Sequence, residues 1–187
     1  MTAVIRAANE ADAEQILAIY GPIVTQTAIS FEVVPPDLDE MRTRISNTLT
    51  RFPWLVYSEG DRVLGYAYAS QHRQRSAYQW SVDVSVYVKP EIHRRGVGRS
   101  LYDSLFGILR SQGYYSAFAG ITLPNDASVG LHTQMGFEPV GLYRGVGYKL
   151  GSWHDVGWWQ LRLRATDGLP SPPTAFAALK DSNETHS

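Results

Sequence analysis

Apolar and polar positions along the chain separate into short alternating runs and longer helical periods. Val4-Ile5-Arg6 predicts a first short strand. Ile16, Leu17, Ile19, Tyr20 and Ile23 recur at helical spacing behind Asn9 and Asp12, either of which suits a cap, and Gly21-Pro22 is expected to kink or break that helix. Residues 31–36 read as extended chain or loop. Asp37-Leu38-Asp39-Glu40 opens a second helix with an acidic first turn, which suits the positive end of a helix dipole. Residues 54–58 and 63–69, joined by Glu59-Gly60-Asp61, predict a hairpin. Residues 80–88 give the strongest strand, with Val82, Val84, Val86 and Val88 on one face and Ser81, Asp83, Ser85 and Tyr87 on the other.

Pro90 ends that strand, and a turn leads into a helix over residues 99–112 with Gly113 as its C-cap. A strand follows at 117–123, and then a short helix from Asn125-Asp126 to Met135. Two last strands are expected at 137–142 and 156–163, with a Gly/Trp-rich connection between them. After Ala165 the composition turns to Pro, Ser, Asp and Thr. Residues 166–187 are therefore expected to be a mostly disordered tail on a single domain of residues 1–165, with Pro172-Pro173 packing locally at most. The order β-α-α-β-β-β-α-β-α-β-β predicts an α/β (α+β) fold with a mixed sheet.

The turn after the strongest strand carries the first chemical signal. Arg94-Arg95-Gly96-Val97-Gly98 between a strand and a helix lets the backbone approach a ligand, with N–H groups and a helix N-terminus aimed at an anion such as a pyrophosphate. Arg94, Arg95 and Arg99 add charge. No Gly-Lys-Ser/Thr follows, and position 101 is Leu, so the P-loop and dinucleotide fingerprints are both absent. A plain tight turn remains the competing reading of Gly-x-Gly alone.

Composition narrows the classes. The 187 residues are 44% hydrophobic, enough for one well-buried core. A formal net charge of -1 gives no long-range pull toward nucleic acid or an anionic membrane. The chain has no cysteine, which excludes disulfides, thiolate metal sites and an acyl-cysteine intermediate. The five histidines show no ligand spacing, so no metal is expected. No apolar run is long enough to span a bilayer and no secretory signal is evident, so a cytoplasmic protein is expected.

Val86-Tyr87-Val88, then His93-Arg94-Arg95-Gly96-Val97-Gly98 and a helix, resembles motif A of the GCN5-related N-acetyltransferase (GNAT) superfamily. Asn125-Asp126-Ala127-Ser128 with Met135-Gly136-Phe137 resembles that superfamily's second CoA-binding motif. The resemblance covers about residues 3–163. His93 departs from the usual Gln or Arg that begins motif A. Longer stretches are similar to the phosphinothricin N-acetyltransferase family: Leu123 to Val129 with His132, Trp153 to Leu161, Phe52 to Val56, and Ala77-Tyr78-Gln79-Trp80.

The resemblance implies acetyl-CoA as co-substrate, a mostly antiparallel central sheet flanked by helices, and commonly a homodimer. It implies cofactor contacts from Val86, Tyr87, Val88, Arg94, Arg95, Gly96, Val97, Gly98, Arg99 and Asn125. It places Phe31, Arg75 and Tyr78 in the substrate pocket and puts Asp83 where the family has a Glu proposed as general base. His132 stands where the wider superfamily often has a Tyr thought to protonate the departing thiolate.

The residues fit the chemistry. An ammonium must lose a proton before it attacks a thioester, and a carboxylate or an imidazole can take it. A backbone N–H near Val88 suits the oxyanion. The plain readings stand beside these roles: a structural acid at Asp83, a helix histidine at His132, an N-cap at Asn125, a solvated Arg75, an edge aromatic at Tyr78 and core packing at Phe31. Trp153-His154-Asp155 is not a triad, because neighbours on a strand face opposite ways. The expected activity is acetylation of the α-amine of a small amino acid or analogue such as phosphinothricin or methionine sulfoximine. Another amine (an ordinary amino acid, a polyamine, a protein N-terminus) and a non-catalytic CoA-binding module remain open at this point.

Overall fold

The computed structural model describes residues 3–179. Its elements follow the expected order: β1 (Ala3–Ala7), α1 (Ala13–Gln26), α2 (Leu38–Arg51), β2 (Trp54–Glu59), β3 (Arg62–Gln71), β4 (Ser81–Val88), α3 (Val97–Gln112), β5 (Ser116–Leu123), α4 (Asp126–Gln134), β6 (Glu138–Lys149) and β7 (Ser152–Arg162). The strands form one seven-stranded sheet in the order β1-β2-β3-β4-β5-β7-β6. Every pairing is antiparallel except β4 with β5.

Strand alternation divides the core between the two faces of the sheet. Val82, Val84, Ala117 and Ala119 pack with Leu101, Tyr102, Leu105 and Leu109 of α3. On the other face Tyr66 and Trp54 pack with Ile16, Ile19, Tyr20 and Val24 of α1 and with Met41 and Ile45 of α2. These four buried α1 residues, with Ala13, explain why Gly21-Pro22 does not break the helix. Both lie away from its buried stripe, and core burial holds the helix through the one backbone bond that proline removes.

The connection expected between two short last strands is itself strand. β6 and β7 form a long hairpin that turns at Leu150-Gly151, and its register shifts between Pro139 and Gly141 and again between Tyr143 and Gly147. Each shift breaks the period of two that identifies a strand in sequence. Gly157 of β7 lies flat under the Trp159 ring, and an added Cβ would fall well inside contact distance of it. Gly157→Ala is expected to destabilise the fold by about 2 kcal/mol through this overpacking, measured by urea unfolding.

Residues 166–175 form neither helix nor strand, yet they pack against the domain. The Trp80 indole N–H donates to the Ser171 carbonyl at 2.8 Å. The Gln112 amide donates to the Thr174 carbonyl at 2.8 Å, the Thr174 N–H returns to the Gln112 carbonyl, and Phe176 is buried. The rest of the expected tail, residues 180–187, lies outside the described residues.

Candidate active site

β4 and β5 pair over only three positions, Ser81 with Ser116, Val82 with Ala117 and Asp83 with Phe118. Both strands run on beyond this point, so the sheet opens into a gap. Val84 to Tyr87 line it on one side and Ala119 to Thr122 on the other, with Tyr102, Asn125, Ser128 and His132 beneath. The Lys89 N–H goes to the Leu64 carbonyl on the β3 side. Alternation then turns the backbone groups of Val84, Val86 and Val88 away from β3 and toward the gap. Tyr87 lines the gap too, but its side chain packs edge-on against Tyr20 at 5.4 Å on the opposite face from α3.

At one end of the gap the chain leaves β4 through a 3-10 turn, Pro90–Ile92, and reaches α3. Gly96 caps α3 in the left-handed region (φ 78°), and Arg94 is also left-handed (φ 62°), a conformation that costs a non-glycine residue about 1 kcal/mol. The first N–H groups of α3 have no helical partners and point outward as an anion site. Arg94 and Arg95 are exposed and make no ion pair among the described residues, whereas Arg99 lies 3.8 Å from Asp103. Gly98 allows α3 to approach: a Cβ there would sit 3.2 Å from Leu131 and 3.9 Å from Val86 and Val88. The His93 Nε2–H donates to the Val88 carbonyl at 2.9 Å. The residue that departs from motif A thus ties this turn to the end of β4.

At the other end, where the β4–β5 pairing stops, stands Asp83. With its carboxylate ionised, it accepts from His72 Nδ1–H at 2.6 Å. The His72 ring lies flat on Phe118, centroids 4.3 Å apart, with Tyr78 and Trp158 against its edges at 6.0 and 6.4 Å. Arg73 covers the Trp158 ring at 5.6 Å. Burial pushes the Asp83 carboxyl above its ordinary value, while the His72 hydrogen bond, the charge His72 carries when protonated and the charge of Arg73 pull it back.

His132 on α4 is 96% buried, by its relative exposure of 4%. Its Nδ1–H donates to the Ser128 carbonyl at 2.8 Å, so Nε2 accepts the Tyr102 hydroxyl at 3.0 Å. Burial lowers the His132 pKa from 6.5 and keeps the ring neutral. A lowered folded pKa means stability that is fully present above pH 6.5, where the unfolded ring is also neutral, and is lost as pH falls through the folded value. His132→Ala strands the Tyr102 hydroxyl and is expected to cost about 2 kcal/mol at pH 7.5. The cost should shrink toward pH 5.5, where the native ring resists protonation; urea unfolding at the two pH values checks this.

The structure therefore gathers Asp83 and Tyr78 at one end of the gap, His132 and Asn125 beneath it, and the Arg94–Gly98 turn at the other end. Asn125 is also the N-cap of α4, its Oδ1 accepting the Ser128 N–H at 3.1 Å. Two expected substrate residues sit less directly. Arg75 is the exposed residue before the 3-10 turn Ser76–Tyr78. Phe31 packs on Gly147 of β6 and lies 6.3 Å from the His154 ring. Its loop is held down by the buried Lys149 ammonium, which donates to the Ser30 carbonyl, and by the Tyr20–Ser30 hydroxyl pair at 2.7 Å. His72, Arg73 and Tyr102 were not singled out from the sequence. Register carries the missing signal for His72: Ser70 pairs with Asp83, and His72, two residues on and just past the end of β3, continues that face.

A family model described as an acetyltransferase (GNAT) domain matches residues 5–158. A phosphinothricin N-acetyltransferase of Streptomyces viridochromogenes is 38% identical over 169 residues, covering 90% of each chain. An L-methionine sulfoximine/L-methionine sulfone acetyltransferase of Pseudomonas aeruginosa is 36% identical over 91% of this chain and 100% of its own length. A crystal structure of a GNAT superfamily phosphinothricin acetyltransferase from Sinorhizobium meliloti in complex with AcCoA superposes with a TM-score of 0.87, at 35% identity over 94% of this chain and 99% of the other. The fold is that of an acyltransferase. The chain belongs to the GNAT acetyltransferase family.

Proposed function

We propose that this chain is a cytoplasmic N-acetyltransferase that moves the acetyl group of acetyl-CoA to the α-amine of a small amino acid or analogue, of the phosphinothricin or methionine sulfoximine type. The observation that carries the reading is the placement of Asp83 where β4 and β5 part. There a proton acceptor and the gap-facing backbone groups of Val84, Val86 and Val88 serve one reacting centre.

The residues fit acetyl-CoA. The open N-terminus of α3 with Arg94, Arg95 and Arg99 suits its pyrophosphate, and the gap beside Val86 and Asn125 suits its pantetheine arm. When bound it supplies an acetyl carbonyl activated as a thioester. The N–H groups of Val86 and Val88 face the gap and serve as fixed donors for the oxyanion. Asp83, its pKa raised by burial, draws the proton from the amine. At the floor of the gap the Tyr102 hydroxyl, held by the neutral His132 ring, faces the leaving side, where the proton lost as the amide forms neutralises the thiolate. Transfer is direct, in a ternary complex, and the lack of cysteine excludes an acyl-cysteine intermediate.

Arg73 and Arg75, flanking the site, suit a carboxylate or phosphinate, and Tyr78 and Phe31 supply aromatic walls. The exposed Leu142, Tyr143, Val146, Tyr148 and Trp153 of the β6–β7 hairpin offer an apolar face for a homodimer.

A panel of amino acids and their carboxamides tests the acceptor class. Converting the carboxylate to the amide is expected to lower kcat/KM by about 100-fold, the loss of one charge-assisted pair. Equal rates on acid and amide would contradict recognition of an anionic acceptor.

A further inference from the structure

We propose that His72 and Asp83 work as a dyad in which His72 Nε2 takes the proton from the acceptor amine and Asp83 fixes the ring's tautomer and orientation. The proposal rests on the acetyl transfer proposed above and deepens it. It changes which atom meets the substrate.

Four observations carry it. The contact is short, 2.6 Å between Nδ1 and Oδ1, so the ionised carboxylate holds the proton on Nδ1 and leaves the lone pair on Nε2. Nε2 has no hydrogen-bond partner among the described residues, although both nitrogens of His132 and Nε2 of His93 are engaged. The ring is clamped, its face on Phe118 and its edges against Tyr78 and Trp158. Phe118 lies two residues from Gly120, which lines the gap and carries the Trp158 ring over it, so the imidazole stands beside the mouth of the gap. An isolated surface histidine needs none of these constraints.

The surrounding charges suit the role. Arg73 is a cation whose charge acts on Asp83, Tyr78 faces the ring from its 3-10 turn, and Tyr68 of β3 feels the Asp83 charge. An imidazolium formed on His72 has the Asp83 carboxylate in direct contact. The proton balance is simple. The ammonium gives one proton to Nε2. The freed nitrogen lone pair forms the C–N bond at the acetyl carbonyl carbon as the C–S bond breaks, and that bond's electron pair leaves on sulfur. The proton lost as the amide forms neutralises the thiolate. His72 then returns its proton to water.

Two variants and one spectrum test the dyad. In His72→Ala, kcat is expected to fall about 100-fold, with acetyl-CoA affinity unchanged and with free imidazole restoring turnover through the vacated space. His72→Phe keeps the stack on Phe118 and is expected to lose as much kcat with no rescue. In the intact protein without ligands, 15N NMR is expected to show His72 protonated on Nδ1, with a downfield Nδ1 proton that moves upfield in Asp83→Asn. Three results would overturn the dyad: either variant keeping kcat within about threefold of the parent, His72→Ala binding acetyl-CoA normally but gaining nothing from imidazole, or the ring carrying its proton on Nε2. If His72→Ala stays active while Asp83→Asn does not, the carboxylate alone is the base and the proposed function stands. If the parent protein acetylates no amino acid, the proposed function fails while the NMR result still reads the dyad.

Discussion

Asp83→Asn is expected to lower kcat by about 100-fold or more while leaving the folded state at least as stable at neutral pH. The two effects have opposite signs because burial raises the Asp83 pKa in the folded protein. The sign follows from linkage. A carboxyl with a raised folded pKa contributes stability that is present below its unfolded value of 3.8 and is lost as pH rises through the folded value. At pH 7 the ionised carboxylate is therefore a cost to the fold. Asparagine keeps the shape, and its carbonyl still accepts the His72 Nδ1–H, but it holds no charge. Thermal melts at pH 4 and pH 7.5 should show the Asn variant gaining on the parent as pH rises, alongside steady-state kinetics. A variant that melts much lower and loses activity in proportion would make Asp83 a structural acid.

The second large effect concerns the turn. Arg94→Ala with Arg95→Ala is expected to weaken acetyl-CoA binding by about 30-fold, each exposed charge contributing roughly 1 kcal/mol after solvent screening. The salt dependence of binding should flatten in the double variant, because the charges that respond to screening are gone. Stability should hold, since neither guanidinium forms an ion pair among the described residues. Calorimetric titration at two salt concentrations separates loss of charge from disturbance of the turn.

The sheet order of strands and helices was legible because most elements bury one face only. Val82, Val84, Val86 and Val88 announce β4 by alternation, and Gly113 marks the C-terminal end of α3, whose start at Val97 lies two residues before the expected Arg99. The β6–β7 hairpin was not legible over residues 143–155, since two register shifts interrupt its alternation. Pro22 misled for the opposite reason: a local breaker lost to burial along the other side of α1. In the site, the cofactor turn is local in sequence and was readable. The substrate end is assembled across strands. Asp83 was found on its own strand, but its partner His72 lies 11 residues away and meets it only through the β3–β4 register. His132 was placed in the site, while the tautomer that makes it an acceptor depends on Ser128 and Tyr102 together.

The account stands most directly on one assay, thiol release from acetyl-CoA measured while acetyl-CoA and L-methionine sulfoximine are varied together, with the product's mass determined. It predicts release that requires both substrates, double-reciprocal lines that intersect, and one acetyl group on the amino-acid nitrogen. Tight acetyl-CoA binding with no thiol released for this or any other small amino acid would contradict it.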